Sequence, residues 1–206
     1  MKRKAIRILL GGVLAALLLA SFTATASAAP AWNFEGKALE GKETVVGAAF
    51  ESSMTIPGLT TKCENFLYKL TIENSGGTGK GSLTELPLYN CTTNSKFCSV
   101  ESIAAEKLPW AAQLKTISSS NYIWIEGVKV AILYAGEACA LDGTLATVAG
   151  TAGGILDNVA ETATFSKTTF SATGAVLKAL GSSIEWSGVF PTEAFEWHRT
   201  QALTVS

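Results

Sequence analysis

The sequence predicts an all-β fold: an antiparallel β-sandwich, with a β-barrel as the alternative, cross-linked by disulfides. Three observations predict it. Short runs in which apolar and polar residues alternate recur along the chain, the period of a half-buried strand. Glycine-bearing turn signals separate those runs, drawing on 19 glycines. Four cysteines lie downstream of an export-type leader, and an even number in that setting implies two disulfides. These features favour a sandwich over a closed barrel without deciding between them.

The leader comes first. Lys2, Arg3, Lys4 and Arg7 form a basic start, Ile8 to Ala20 is apolar and uncharged, and Ala26-Ser27-Ala28 has the small-x-small form of a cleavage site. Residues 1–28 are therefore expected to be a signal peptide cleaved before Ala29, and residues 29–206 a single secreted β-rich domain. The apolar run is short for a membrane span of about 20 residues, and no second run of that length follows.

Past Ala29, Trp32 and Phe34 stand out as anchors in an irregular stretch. Thr44 to Ile56 has strand character and stops at the turn pair Pro57-Gly58. Phe66 to Ile72 alternates, with Phe66, Tyr68, Leu70 and Ile72 on one face. Asn74 to Gly79 reverses the chain, because glycine reaches positive φ at little cost. The return strand is Lys80 to Tyr89, with Pro87 marking an edge or a bulge. Cys63 and Cys91 each lie fourteen residues from Gly77, so a symmetric hairpin brings them together. Thr92 to Phe97 is a polar loop. Ser99 to Leu108 fits neither the helical nor the strand period cleanly, and Pro109 restricts the residue before it.

Trp110, Ala112 and Leu114 alternate as a strand, Ser118 to Asn121 turns the chain, and Tyr122 to Ile125 is strongly β. Glu126-Gly127 reads as a tight hairpin turn, followed by a strand with Val128, Val130, Ile132 and Tyr134 on one face. Asp142-Gly143 is a further hairpin dipeptide, and Gly150 to Gly154 reads as a flexible turn. Ala160 to Ser171 and Ile184 to Phe190 read as strands, and Phe195-Glu196-Trp197 opens the last segment.

Two cysteine pairings compete. The favoured one joins Cys91 to Cys98 around the polar loop and Cys63 to Cys139 between distant strands. The rival joins Cys63 to Cys91 and Cys98 to Cys139, and the hairpin register supports it. Zinc is not expected, because no closely spaced pair such as C-x-x-C is present.

The catalytic inventory is thin. His198 is the one histidine, and Asp142 and Asp157 are the only aspartates a Ser-His-Asp arrangement could use. No Gly-x-Ser-x-Gly elbow is present. Glu64, Glu73, Glu85, Glu101, Glu126, Glu185 and Glu193 are scattered. Nothing in the sequence sets two of them at the separations of about 5 Å or about 6.5–9.5 Å that glycoside hydrolysis uses. Gly150 to Gly154 lacks the Gly-Lys-Ser/Thr ending of a phosphate loop. Acids cluster too little for calcium. Trp124 beside Tyr122 offers a stacking surface for a sugar, against the ordinary reading of tryptophan as core. Asn90-Cys91-Thr92 has the form of a glycosylation acceptor, though a disulfide at its middle residue opposes modification. No catalytic, cofactor or metal residue is therefore assigned, and no cofactor is expected.

The leader holds four of the 16 basic residues and none of the 17 acidic ones, leaving 12 against 17, a net charge of −5. Arg199 is the one arginine outside the leader. Such a chain is ill-suited to nucleic acid or to anionic lipid.

Cys63, Asn90-Cys91, Cys98, Leu108-Pro109-Trp110 and Cys139-Ala140-Leu141-Asp142-Gly143 carry a resemblance. Over roughly residues 44–160 the chain resembles a group of uncharacterised secreted, four-cysteine β-rich proteins of soil actinobacteria. The resemblance implies a bacterial exported β-domain and brings no activity with it. The expected function is binding, or a structural role at the cell surface or outside the cell, with a cell-envelope or extracellular glycan or protein as partner. The alternative is an extracellular polysaccharide hydrolase using paired glutamates.

Overall fold

The computed structural model describes residues 29–191, 193–196 and 199–206. The expected leader, Trp197 and His198 lie outside them. The elements in order are β1 (Trp32–Phe34), β2 (Lys37–Ala38), β3 (Lys42–Ile56), β4 (Leu59–Ser75), β5 (Thr78–Glu85), β6 (Cys91–Thr93), β7 (Ser99–Ala105), β8 (Trp110–Ile117), β9 (Ser120–Ala135), β10 (Leu145–Asp157), β11 (Thr162–Phe165), α1 (Lys167–Thr173), β12 (Leu177–Ala179), β13 (Ser182–Pro191), β14 (Glu193–Glu196) and β15 (Arg199–Val205). The fold is all-β, antiparallel and disulfide-linked, as the alternation predicts.

The main ladder runs β13–β3–β4–β5–β8–β9–β10 and returns to β13 through β11 and β12, which pair with β10 and β13 at different heights. This closed circuit is the barrel alternative, and the preferred sandwich gives way to it. Two separate sheets would leave strand edges open, whereas closure pairs them. The β9–β10 ladder closes the circuit, pairing Leu145–Ile155 with Leu133–Tyr122.

Gly150 to Gly154, expected to be a turn, lies inside β10. Its glycines serve close packing. A Cβ on Gly150 would lie 2.1 Å from the Val176 carbonyl oxygen, and one on Gly153 2.1 Å from the Thr173 hydroxyl of α1. Glu126-Gly127 is likewise no hairpin. Gly127 is an unpaired bulge in a continuous β9, with Gly150 opposite Val128 and Thr151 opposite Glu126. Val128, Val130, Ile132 and Tyr134 are all buried, as the alternation predicts. Ala160 to Ser171 is strand only as far as Phe165. Ser166 then caps α1 by accepting from the Thr169 amide, while the Thr169 hydroxyl accepts from the Ser166 amide.

The cysteine pairing is Cys63–Cys91 and Cys98–Cys139. This corrects the favoured Cys91–Cys98 and Cys63–Cys139. The hairpin register decides it. Ser75 pairs with Thr78, the β4–β5 ladder shifts by one residue at Lys69/Leu70, and the shifted register continues into β4–β6. That sets Cys63 opposite Cys91, with Cα atoms 4.0 Å apart. Cys98 reaches Cys139 because Gly136 has no side chain: a Cβ there would lie 2.1 Å from the Phe97 carbonyl oxygen. The 92–97 loop is held by its own hydrogen bonds, with the Thr93 hydroxyl donating to the Cys98 carbonyl and accepting from the Ser95 amide.

A second sheet, β14–β15–β1–β2, packs Trp32, Leu203 and Val205 into the core, with Leu39 following directly after β2. Two asparagine amides hold it as strand mimics. Asn74 accepts from the Trp32 amide and donates to the Trp32 carbonyl, and Asn158 does the same with Val205.

Candidate functional site

β3 changes its inward face part-way. Val45 and Ala49 are buried in its first half, and Ser52, Met54 and Ile56 in its second. β4 changes with it, from Leu70 and Ile72 to Cys63, Thr61 and Leu59. The β3–β4 ladder keeps one register from Lys42–Glu73 to Ile56–Leu59, so both strands switch faces together. Ser52 is thereby turned into the barrel.

Beside Ser52 the wall opens. β13 pairs with β3 from Glu185–Thr55 to Gly188–Ser52, and among the described residues no pair joins them beyond that point. β13 continues to Pro191 against β11 alone. The opening is a cleft of about 440 Å³, bordered by Glu51, Ser52, Ser53, Phe165, Ser187, Gly188, Val189 and Pro191. Gly188 keeps it clear, since a Cβ there would sit 3.1 Å from the Phe190 ring and 3.2 Å from the Ser52 Cβ. Ser53 and Ser187 hydroxyls meet at 2.7 Å on the outer side, and the Glu51 carboxylate accepts from Lys62 at 3.1 Å. Val189 is half exposed at the rim.

Two buried polar side chains lie behind the cleft wall, Ser52 on the border of the cleft and Trp186 on the interior cavities beside it. Ser52 is 2% exposed and Trp186 5% exposed. Among the described residues neither Ser52 Oγ nor Trp186 Nε1 has a hydrogen-bond partner. Leaving such a group unpaired costs about 1–3 kcal/mol. Both residues border an interior cavity of about 10 Å³, walled otherwise by aliphatic side chains and Met54. A larger apolar cavity of about 50 Å³ adjoins it, sharing Trp186 and Leu86. Trp186 is fixed by stacking on Phe165 (5.2 Å, 21°) and by an edge contact with Phe190 (5.8 Å, 86°). The Tyr68 ring lies across Gly47 and its hydroxyl donates to the Pro191 carbonyl. Burial pushes the Tyr68 phenol well above its ordinary value.

The residues singled out from the sequence fall elsewhere. Trp124 is on the outer wall, with the Lys115 ammonium 3.7 Å from its ring centroid and its indole N–H donating to Glu126 at 3.0 Å. Tyr122 is buried, so the two do not form one stacking platform. Trp32 and Trp110 are core residues whose indole N–H groups donate to the carbonyls of Lys80 and Glu106.

The two aspartates shape turns. Asp142 accepts from the Gly136 amide and Asp157 from those of Val159 and Ala160. The Ala160 amide, then that of Val159, holds the Asp157 carboxyl below its ordinary value. His198 lies outside the described residues. Glu85 and Glu185 form ion pairs with Lys69 and Lys167. Glu64 stands directly opposite Glu51 across the β3–β4 ladder, and only Glu51 borders the cleft. Among the described residues no three His, Cys, Asp or Glu side chains group as a metal site, and no helix is long and apolar enough to cross a membrane.

Sequence reasoning missed Ser52 and Trp186 as a pair. Simple alternation from Val45 turns Ser52 outward, and the switch of face has no glycine or proline to announce it. No family model, curated protein or solved structure matches the chain.

Proposed function

We propose that the protein is an exported, non-enzymatic binding domain whose ligand site is the cleft between β3 and β13. One observation carries the reading: the barrel wall opens beside a buried serine hydroxyl that lacks a partner, and the opening has the volume of a small-molecule site. Buried polar groups are normally satisfied, so an unsatisfied one at the back of a cleft is a feature that a bound ligand would explain. Export is supported by the basic, apolar and small-residue order of residues 1–28 and by the oxidised state of all four cysteines. Pro30 and Ala31, directly after the expected cleavage point, are already hydrogen bonded to Gly79 and Ser206. The chain is thus read as a bacterial extracellular protein of the four-cysteine group it resembles.

Hydrolysis by paired glutamates is the weaker reading. Glu51 and Glu64 are cross-strand neighbours, but both are exposed, Lys62 bonds Glu51, and Glu64 does not border the cleft.

The test is a panel of cell-envelope saccharides and small amphiphiles titrated calorimetrically into the mature chain, alongside a hydrolase assay on the same compounds. Binding without turnover is expected. Turnover abolished by Glu51→Gln or Glu64→Gln in a folded protein would replace this reading with the hydrolase. N-terminal sequencing of the secreted form should begin at Ala29, and an intact Met1 there would remove export by cleavage.

A further inference from the structure

Among the described residues Ser52 Oγ and Trp186 Nε1 have no partner, and both residues border one cavity. Ser52 also borders the open cleft, and Trp186 also borders the apolar cavity. The two side chains therefore stand where outside, polar end and apolar interior meet. An indole N–H only donates, and a serine hydroxyl donates or accepts. A group that satisfies both must present an acceptor oxygen. The neighbouring cavity is bordered almost wholly by carbon, including Leu86, Phe165 and Phe190. Whatever continues from that oxygen must be apolar.

We infer that the barrel takes up a small apolar molecule carrying one hydrogen-bond-accepting oxygen, a ketone, ester or alcohol. The oxygen meets the Trp186 indole N–H and the Ser52 hydroxyl, and the carbon chain extends toward Phe165 and Phe190. This rests on reading the cleft as a binding site and names the class of its ligand. Size follows from the cavities: a void of ~150 Å³ accommodates benzene, so about 50 Å³ takes only two or three carbons, and the rest of a longer molecule lies in the cleft of about 440 Å³. A single structural water is the competing occupant. The volume of about 10 Å³ sits at the lower limit for one, and Ser52 and Trp186 would give it two partners, the fewest that buried waters commonly keep.

The experiment is a two-dimensional proton–nitrogen NMR titration of the mature chain with 2-pentanone and, separately, n-pentane in sealed samples. The Trp186 indole N–H is identified by its loss in Trp186→Phe. The ketone should shift that resonance and n-pentane should leave it in place. Ser52→Ala should weaken the ketone roughly two- to tenfold, the worth of one hydrogen bond, without changing n-pentane. Should Trp186→Phe fail to fold, Ser52→Ala alone carries the comparison.

Equal affinity for ketone and alkane in both proteins would overturn the inference. So would an indole N–H in contact with a water that the ketone does not displace. Shifts confined to the amides of residues 51–53 and 187–189, with the indole unmoved, would overturn the inference and leave the cleft reading standing. No response to either probe or to the saccharide panel would remove both.

Discussion

Cys98→Ser combined with Cys139→Ser removes one cross-link and leaves Cys63–Cys91 intact. The lost link closes a 41-residue separation and the retained one a 28-residue separation. The chain-entropy relation assigns about 3.9 kcal/mol to the former and about 3.6 kcal/mol to the latter. The two loops follow one another without overlapping, so their effects on the unfolded chain should add. In a domain of this size about 1 kcal/mol moves the melting temperature by roughly 2–4 °C, so either double serine variant should melt roughly 8–16 °C lower. The size of the loss is itself diagnostic. Under a Cys91–Cys98 and Cys63–Cys139 pairing each double variant would take one cysteine from both links, so both variants would lose about 7 kcal/mol. Calorimetric melting of both double variants, with non-reducing peptide mapping of the parent, measures this. A peptide joining Cys91 to Cys98, or a loss of about 7 kcal/mol in both variants, would refute the reasoning.

Three further outcomes are expected. Tyr68 is an acid whose folded value is raised by burial. Its stabilisation is complete below its ordinary value of 10.0 and is lost as pH rises beyond it. Tyr68→Phe should cost about 1–3 kcal/mol at neutral pH by leaving the Pro191 carbonyl unpaired. Its deficit should narrow in denaturant melts above pH 10, where a constant deficit would contradict the assignment. Gly150→Ala should destabilise by roughly 2–5 kcal/mol in urea melts, because its Cβ meets a carbonyl and its φ is positive; a shift below about 1 kcal/mol would show that β10 does not pass close to Val176. Asn158→Ala should cost about 1–3 kcal/mol and speed amide exchange at Val205, since both hydrogen bonds to that residue go with the side chain.

Much of the fold is legible in the sequence, and the exceptions share a cause. Alternation around Tyr68–Ile72, Trp110–Leu114 and Ile184–Phe190 locates strands because each has one wet and one dry face. The symmetric placement of Cys63 and Cys91 about Gly77 holds the correct disulfide, which the appeal of a short polar loop obscured. Gly127 and Gly150 look like turns locally, yet one is a bulge and the other a point of close backbone approach. Both roles are set by distant chain, respectively the β10 register and Val176. The closure of the barrel is hidden for the same reason, because no local pattern says that β9 meets β10. Ser52 and Trp186 could not be paired from the sequence, since their meeting depends on the change of face in β3. Trp124, the most conspicuous binding residue by eye, is occupied by Lys115 and Glu126.

Backbone amide shift mapping of the mature chain, titrated with whichever panel compound binds tightest, decides where this protein meets its ligand. Perturbations gathered at Glu51–Ser53 and Ser187–Phe190, with the Trp186 indole moving alongside them, are the expected result. Perturbations gathered instead on the outer wall at Lys115, Trp124 and Glu126, with the cleft amides unmoved, would contradict the account.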